Sequence, residues 1–421
     1  MTSSDHDRST PAEADSAAPA PTSAPEAVIS PLTAPADGVP AVLSSPAEFA
    51  EAARLLESGT GPIALDTERA SGYRYSQRAY LVQIKRTGSG SFLIDPIEHP
   101  DALAPVIDVL DGPEWILHAA DQDLPCLREL GFRAETLFDT ELAGRLLNYP
   151  KVNLAAMVAE FLHLGLVKGH GAADWSRRPL PADWLNYAAL DVEVLVELRD
   201  AMMHTLTESG RIEWAEQEFA YVQARPPSSP RTDRWRRTSG IHDLRTARQL
   251  AIVRELWSAR EATAERRDIA PGRILPDSAI ITAAKAAPEN AAALIKLPVF
   301  GGPRQRRQAD RWMRAITAAL NLSDSELPSK KAPHTGPPAY NRWEQRDPEA
   351  AARAAVIRPT VKDFADEIGI PQENLVAPDV LRNLCWEGLA AGQTVDNWLE
   401  ANGARPWQRN LVAPRITDVL P

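Results

Sequence analysis

The chain has 421 residues, a net charge of −11 and 44% hydrophobic residues. This length exceeds one ordinary core, so two or three domains are expected, and no apolar run approaches the ~18–20 residues that cross a bilayer, which argues against a membrane protein. The two cysteines, Cys126 and Cys385, lie far apart in sequence, which excludes a disulfide framework and a cysteine-based zinc site and favours a reducing cytoplasm.

Residues 1–38 are rich in Ala, Pro and Ser, so they are predicted to be a disordered tail without a signal peptide. Residues 40–208 have a mixed α/β pattern. The predicted elements, in chain order, are a helix in SPAEFAEAARLLES, strands in GPIALDTE, AYLVQIKR, SFLIDP and PEWILHA, and helices in DLPCLREL, ELAGRLLN, NLAAMVAEFL and PADWLNYAALDVEVLVELRDAMMHTL. This order predicts a mixed sheet flanked by helices.

The remainder of the chain has helical patterns separated by Pro-rich segments. Residues 209–239 are predicted to be a connecting helix and linker, 240–321 an all-helical domain, 322–340 a second linker and 341–421 another helical domain. Between residues 231 and 320 there are 18 Lys and Arg against 9 Asp and Glu, whereas the whole chain is acidic. A basic module beside an acidic one indicates a polyanionic partner.

Two carboxylates lie at the end of the first predicted strand. Asp66 and Glu68 occupy positions i and i+2, so they point to the same face of the strand. Adjacent carboxylates repel unless a cation lies between them, and such hard oxygen ligands suit Mg²⁺ or Mn²⁺. The alternative for this pair alone is one turn-capping and one solvated acidic residue.

A third carboxylate follows the strand WILHA at the start of a helix. Asp123 is preferred over Asp121 as a ligand because Leu124 and Leu127 fix the helix face behind it, which leaves Asp121 as the better capping candidate. The alternative is that Asp123 is itself a plain helix cap.

The fourth carboxylate, Asp191, shares a helix face with Tyr187, four residues earlier. A tyrosine at this spacing can hold an attacking water, and the alternative is a core-edge tyrosine beside a surface aspartate. Carboxylates from a strand, a strand–helix junction and a late helix could converge at one end of a sheet. Two divalent ions held there, ~3.5–4 Å apart, would support an in-line attack on a phosphodiester.

The motifs LDTE, HAADQDL and DWSRRPL followed by YAALD resemble those of ribonuclease D, in the tyrosine-type branch of the DEDD superfamily of 3′→5′ exonucleases. The resemblance implies a ribonuclease-H-like domain, two Mg²⁺ or Mn²⁺ ions and release of nucleoside 5′-monophosphates from RNA 3′ ends, with a role in maturation of tRNA or other stable RNA. It also implies that the four carboxylates bind metal and that Tyr187 positions the water. Residues 240–321 resemble an HRDC domain, and 341–421 stands where the family has a second, diverged copy.

Basic residues near these motifs are candidate nucleic-acid contacts, with a solvated surface as the alternative. Lys168 and Arg178 flank the third motif. The others lie beside Trp235 (Arg234, Arg236 and Arg237) or near Trp312 (Arg304, Arg306 and Arg307). The sequence departs from the family at Arg69, where an aromatic or apolar residue is usual, and in GYRYSQ (72–77), where substrate-facing residues are expected.

The resulting hypothesis is a cytoplasmic, monomeric 3′→5′ exoribonuclease whose partner is RNA, including tRNA precursors, without a membrane partner. Two alternatives stay open at this point. One is a 3′→5′ DNA exonuclease, because nothing in the sequence reads the 2′-hydroxyl clearly. The other is a catalytically silent RNA-binding protein, which the presence of all four carboxylates disfavours.

Overall fold

The computed structural model describes residues 29–167, 169–226, 232–331 and 336–420. Its main sheet has six strands in the order β2-β5-β4-β3-β6-β7, and β1 and β8 form a separate pair. The strands are β1 Ser30–Leu32, β2 Val42–Leu43, β3 Thr60–Glu68, β4 Leu81–Thr87, β5 Gly90–Ile94, β6 Glu114–Leu117, β7 Thr136–Asp139 and β8 Leu164–Leu166.

The central strand β3 is antiparallel to β4 and parallel to β6, so the sheet is mixed, as the sequence predicts. Its apolar residues Ile63, Ala64 and Leu65 are buried, and its two carboxylate residues come at the end of the strand. The sheet is flanked by helices α1 Pro46–Glu57, α2 Ala104–Leu110, α3 Leu124–Glu129, α4 Thr140–Leu146, α5 Leu154–Leu162, α6 Ala182–Glu193, α7 Leu195–Glu208 and α8 Ile212–Ala224. We call this unit the catalytic domain.

The long helix predicted after Pro181 is in fact two helices, α6 and α7, which meet at Val194. The backbone of Val194 (φ −97°, ψ −8°) closes α6 with a bond to the Val192 carbonyl instead of continuing the helical ladder. The break lets α6 pack on β3, β4 and β5 while α7 packs on α4 and α5. The two helices therefore cover different surfaces, and α7 also contacts β3 and β6.

The predicted tail of residues 1–38 also needs a correction at its C-terminal end. Residues 1–28 lie outside the described part of the chain. Residues from Ser30 to Leu32 form β1, which pairs in parallel with β8. Further on, the Thr33 carbonyl accepts a hydrogen bond from Asn186, and the Ala36 N–H donates to Glu193. Backbone pairing orders a segment whose composition alone indicates disorder.

The central helical domain (residues 232–331) is formed by α9 Ala247–Arg267, α10 Pro271–Ile274, α11 Asp277–Ala286, α12 Ala291–Leu294, α13 Pro303–Arg306 and α14 Ala309–Leu320. It has a hydrophobic core of its own, which includes Trp312. Its loop after α9 docks on the catalytic domain: the Asp268 carboxylate accepts the N–H groups of Tyr75 (3.1 Å) and Ser76 (2.9 Å). The GYRYSQ segment therefore includes a docking site for another domain, and was not recognisable as one from sequence.

The C-terminal helical domain (residues 336–420) is formed by α15 Trp343–Arg346, α16 Pro348–Ile368, α17 Gln372–Leu375, α18 Pro378–Glu387, α19 Val395–Ala401 and α20 Pro406–Val419. Its buried residues belong to the same hydrophobic cluster as the core of the catalytic domain. Contacts with α8 join the two units, and the Arg405 guanidinium donates to Glu218 at 2.6 and 2.7 Å.

Candidate active site

The end of β3 delivers two carboxylates to the floor of a cavity of about 540 Å³. Asp66 and Glu68 both line it, and Glu68 is only 5% exposed. Asp66 is paired with Gln83 of β4 in the sheet register, so pairing with the neighbouring strand fixes the backbone position of Asp66. The i and i+2 spacing therefore brings the two carboxylates together as the sequence predicts.

Asp123, in the loop between β6 and α3, lines the same cavity and is 4% exposed, whereas Asp121 is exposed and does not line it. Asp123 occupies the N-cap position of α3 but makes no capping hydrogen bond. Its carboxylate instead accepts a hydrogen bond of 2.6 Å from the Thr67 hydroxyl, which belongs to β3. The plain helix-cap alternative for Asp123 is therefore wrong.

Helix α6 contributes Tyr187 and Asp191 from one face, and both line the cavity. Carboxylate oxygens of Asp66, Glu68 and Asp191 lie within 4.8 Å of one another. Asp123 is outside this group of three, but its charge is close enough to raise the pKa of Asp66, after the larger effect of burial. The chain thus brings the four predicted carboxylates and the tyrosine into one cavity.

The environment of the cavity disfavours the ionised forms of the carboxyl groups that line it. Burial, followed by the neighbouring carboxylates, raises the pKa values of Asp66 and Glu68 well above their usual range. Burial likewise raises the pKa of Asp123 to about 6 and that of Asp191 to about 7. Burial also raises the pKa of Tyr187, so its hydroxyl stays protonated beside Asp191. A set of buried, mutually repelling oxygen ligands is what a divalent cation would stabilise, and the residues fit Mg²⁺ or Mn²⁺.

One buried carboxylate of this region was not predicted. Asp139, at the β7–α4 junction, is 4% exposed, and its oxygens accept the N–H groups of Glu141 and Leu142 at the start of α4. The same carboxylate accepts the N–H groups of Ala119 and Ala120, in the loop that leads to Asp123. The sequence motifs give no signal for this contact, because β6 and β7 become neighbours only when the sheet forms.

Two further residues bear on the site: Arg69 was noted in the sequence without a role, and Gly169, which lies against Tyr187, was missed. Arg69 lines the cavity, and its positive charge lowers the pKa values of Glu68 and Asp123, although burial has the larger and opposite effect. Gly169 passes so close to Tyr187 that a Cβ atom there would lie 1.7 Å from the ring. A glycine before a tyrosine motif is a weak sequence signal, because the contact depends on the path of the loop.

The predicted nucleic-acid contacts have different outcomes. Lys168 lies outside the described residues. Arg178 is an internal connector: its guanidinium donates to Asp95 and to the carbonyls of Trp175, Arg177 and Tyr80, so a phosphate contact is not supported there. Arg236 donates to Asp233 and to the Ser329 carbonyl and is similarly engaged. Arg178 is itself exposed, but its guanidinium is engaged by Asp95 and these carbonyls; the other exposed members of the predicted set are Arg234, Arg237, Arg304, Arg306 and Arg307.

Profiles of known protein families match three parts of the chain. Residues 40–207 match the family described as 3′-5′ exonuclease, residues 249–316 the HRDC domain, and residues 336–420 the 3′ to 5′ exonuclease C-terminal domain. Within the described part of the chain, no helix is both long and apolar enough to span a membrane.

Similar proteins cover most of the chain. Ribonuclease D of Pseudomonas paraeruginosa is 30% identical over 354 residues, which are 80% of this chain and 92% of that protein. Ribonuclease D of Gluconacetobacter diazotrophicus is 30% identical over 289 residues, 65% of this chain and 71% of that one.

Solved structures have the same architecture. A protein from Bifidobacterium adolescentis has a TM-score of 0.84 and 38% identity, with 93% of this chain and 99% of that chain covered. Escherichia coli RNase D shares the fold, with a TM-score of 0.65, 24% identity and coverage of 90% and 98%. With its exonuclease domain, HRDC domain and C-terminal helical domain, the chain belongs to the ribonuclease D family of 3′→5′ exoribonucleases.

Proposed function

We propose that this protein removes nucleoside 5′-monophosphates from RNA 3′ ends in a reaction that depends on two divalent ions, and that tRNA precursors are among its substrates. The observation that carries the proposal is the carboxylate cluster at the end of β3, in which Glu68 is buried and Asp66 and Asp191 are half-buried. The relatives named ribonuclease D support RNA as the substrate class. The proposed place of action is the cytoplasm, and the proposed state is a monomer.

Asp66, Glu68, Asp123 and Asp191 would hold the ions as Mg²⁺ or Mn²⁺. When bound, such ions activate a water and stabilise the leaving 3′-oxygen of the phosphodiester. The protonated hydroxyl of Tyr187 lies beside Asp191 and can orient a water molecule by hydrogen bonding. Thr67 fixes the orientation of the Asp123 carboxylate from the strand side.

Arg69 gives the cavity a positive charge next to the carboxylates. Two divalent ions would balance the four negative charges of the ligands, so the guanidinium would add attraction for a phosphate group. This arrangement favours a polyanionic chain end over a neutral substrate.

The test is hydrolysis of a tRNA precursor labelled at its 3′ or its 5′ end, with Mg²⁺, Mn²⁺ or EDTA. We expect the wild type to release labelled mononucleotide from the 3′ end in the presence of metal. Asp66→Asn and Asp123→Asn should abolish release while RNA binding persists, and Asp121→Asn is the matched control that stays active. Release that persists in EDTA, or from Asp66→Asn, would contradict the proposal, and faster hydrolysis of a matched DNA oligomer would replace RNA by DNA as substrate.

A further inference from the structure

A second cavity, which we call the Trp257 cavity, lies in the central helical domain, the unit that contains the HRDC match. It has a volume of about 590 Å³ and shares no lining residue with the catalytic cavity. Its lining includes three arginines, two acidic residues and a tryptophan, namely Arg234, Arg237, Arg260, Glu261, Asp277 and Trp257. The net charge of these side chains is positive, as expected for a site that receives a phosphate-bearing ligand.

One arginine of the cavity lies over the aromatic ring. The Arg234 guanidinium is 5.6 Å from the centroid of Trp257, and its Nη2 atom is 3.9 Å from Oε2 of Glu261. The Arg234 side chain is 53% exposed, so displacing it requires little rearrangement of the core. The Arg234 guanidinium, a flat group with N–H donors at its edge, thus occupies the space between the Trp257 ring and the Glu261 carboxylate. A nucleobase with an exocyclic amino group is also flat and also has N–H donors at its edge.

The floor of the cavity contains buried polar atoms that make no hydrogen bond, although Nε of Arg260 lies 3.5 Å from Oε1 of Glu261 in an ion pair. Glu261 and Arg260 are 8% and 5% exposed. Among the described residues, Oε2 of Glu261 and Nε of Arg260 make no hydrogen bond. The other Arg260 donor, Nη1, is used by Asp277 and by the Leu275 carbonyl. Buried polar atoms left without a hydrogen bond are costly, so a ligand that supplies a donor to Glu261 would be favoured.

We propose that the Trp257 cavity binds an unpaired nucleotide of the RNA whose base carries an exocyclic amino group. The base stacks on Trp257 in the place of the Arg234 guanidinium, and its amino group donates to Oε2 of Glu261. Arg234 and Arg237 then face the backbone phosphates. The proposal rests on RNA being the substrate, as proposed above, and adds a base preference and a second point of contact.

The position of the cavity suits RNA upstream of the 3′ end. Pro271 lines it, and the preceding residue, Ala270, donates its N–H to the Tyr73 carbonyl of the catalytic domain. Arg273 donates to the Gly72 carbonyl, four residues after Glu68. The rim of the Trp257 cavity is therefore attached to the segment that leaves the catalytic strand, which links the two cavities through hydrogen bonds.

Cytidine and uridine oligonucleotides test the base preference, because the two bases have the same ring size but only cytosine has the amino group. Binding of oligomers of about ten nucleotides is measured by fluorescence anisotropy in EDTA, so that no hydrolysis occurs. We expect the wild type to bind oligo(C) about tenfold more tightly than oligo(U). Glu261→Gln should narrow this ratio, since a carboxamide N–H can donate to the uracil carbonyl. Equal wild-type affinities, or an unchanged ratio in Glu261→Gln, would overturn the proposal.

Arg237→Ala tests the phosphate contact, with Arg245→Ala as the matched control because Arg245 is exposed in the same domain and does not line the cavity. We expect Arg237→Ala to raise KM for a long oligonucleotide far more than for a dinucleotide, with kcat preserved, and to lower the salt dependence of binding. Equal losses on both substrates would contradict a remote contact. Absence of hydrolysis of both substrates by the wild type would instead contradict the proposed function, and thermal unfolding establishes that each variant is folded.

Discussion

Asp191 shows how the catalytic carboxylates affect the stability of the protein as well as its chemistry. Burial raises the pKa of the Asp191 carboxyl from its ordinary value of 3.8 to about 7. The folded state therefore binds this proton more tightly than the unfolded state does. The resulting stabilisation is fully present below pH ~4 and is lost as the pH rises through about 7, where the carboxylate becomes charged in the folded protein.

Replacing Asp191 by Asn should consequently stabilise the metal-free protein at high pH while it removes activity. In EDTA, we expect the free energy of unfolding of Asp191→Asn to exceed that of the wild type, by a difference that grows between pH ~4 and about 7 to the order of a few kcal/mol. Thermal unfolding across this pH range measures it. Parallel curves for the two proteins would show that the cluster does not oppose folding, and added Mg²⁺ should reduce the difference.

Gly169 constrains the position of Tyr187 by its lack of a side chain. A Cβ atom at residue 169 would lie 1.7 Å from Cδ2 of the Tyr187 ring, whereas one at Gly171 would lie 3.7 Å from the hydroxyl. We expect Gly169→Ala to lower kcat by about tenfold to a hundredfold through displacement of the ring, with little change in melting temperature because the residue is exposed. Gly171→Ala should have a smaller effect, and equal kinetics for the two variants would contradict this explanation.

At the scale of secondary-structure elements, the β7–α4 junction holds the β6–α3 loop in place. The Asp139 carboxylate accepts two N–H groups from each segment, and Ala119 adopts a positive φ of 58° at the contact. This backbone conformation is unfavourable for alanine, so the hydrogen bonds help to maintain it. The path of the loop then determines where the Asp123 carboxylate lies.

Asp139→Asn should weaken both metal binding and catalysis. One oxygen of the asparagine can still accept, but its amide N–H₂ would face the Ala120 N–H, so the loop should shift. We expect kcat to fall by about tenfold to a hundredfold and the Mn²⁺ concentration for half-maximal activity to rise. Asp108→Asn, on an exposed residue of α2, is the control. Loss of activity without a change in the Mn²⁺ requirement would contradict a role in positioning Asp123.

At the scale of the whole molecule, the C-terminal helical domain is a structural part of the catalytic unit. Trp407 stacks on Trp214 of α8 with ring centroids 5.0 Å apart, and its indole N–H donates to the buried Glu218. Arg405 completes this contact with two hydrogen bonds to the same carboxylate. Because the apolar core is also continuous across this junction, removal of residues 336–420 would expose it to water.

Glu218→Ala should lower the free energy of unfolding by ~3–5 kcal/mol, since it leaves the Arg405 charge partly buried without a partner. Chemical denaturation followed by tryptophan fluorescence measures the loss. Glu216→Ala is the matched control, because Glu216 is an exposed residue of the same helix and should change stability by less than ~0.5 kcal/mol. Similar values for both variants would show that the junction contributes little to stability.

The sequence predicted those features of the catalytic domain that depend on local pattern. The strand that ends in Asp66 and Glu68, the helix face shared by Tyr187 and Asp191 and the mixed sheet all follow from residue periodicity and order. Elements with weak periodicity were missed, among them β1, whose three residues gain their order only from pairing with β8. The break at Val194 was also missed, because the local pattern is continuous through it.

The basic residues illustrate the limit of composition. Arg178, Arg236 and Arg237 look alike in sequence, yet Arg178 and Arg236 are used by internal hydrogen bonds, whereas Arg237 is exposed at a cavity. Which arginines can meet a phosphate depends on the partners that the fold brings within reach. The charge counts identified the basic domain, but they did not identify which of its surfaces can meet a phosphate.

The sequence by itself determined the chemistry of the site, because the identity and spacing of the carboxylates on a strand and a helix are local properties. Only the tertiary structure decided that Thr67 orients the Asp123 carboxylate, that Asp139 holds the loop of Asp123 and that residues 72–77 dock the HRDC domain. The physical reason is common to all three. Burial and hydrogen-bond partners come from segments distant in sequence, and their positions are set by the packing of the whole chain.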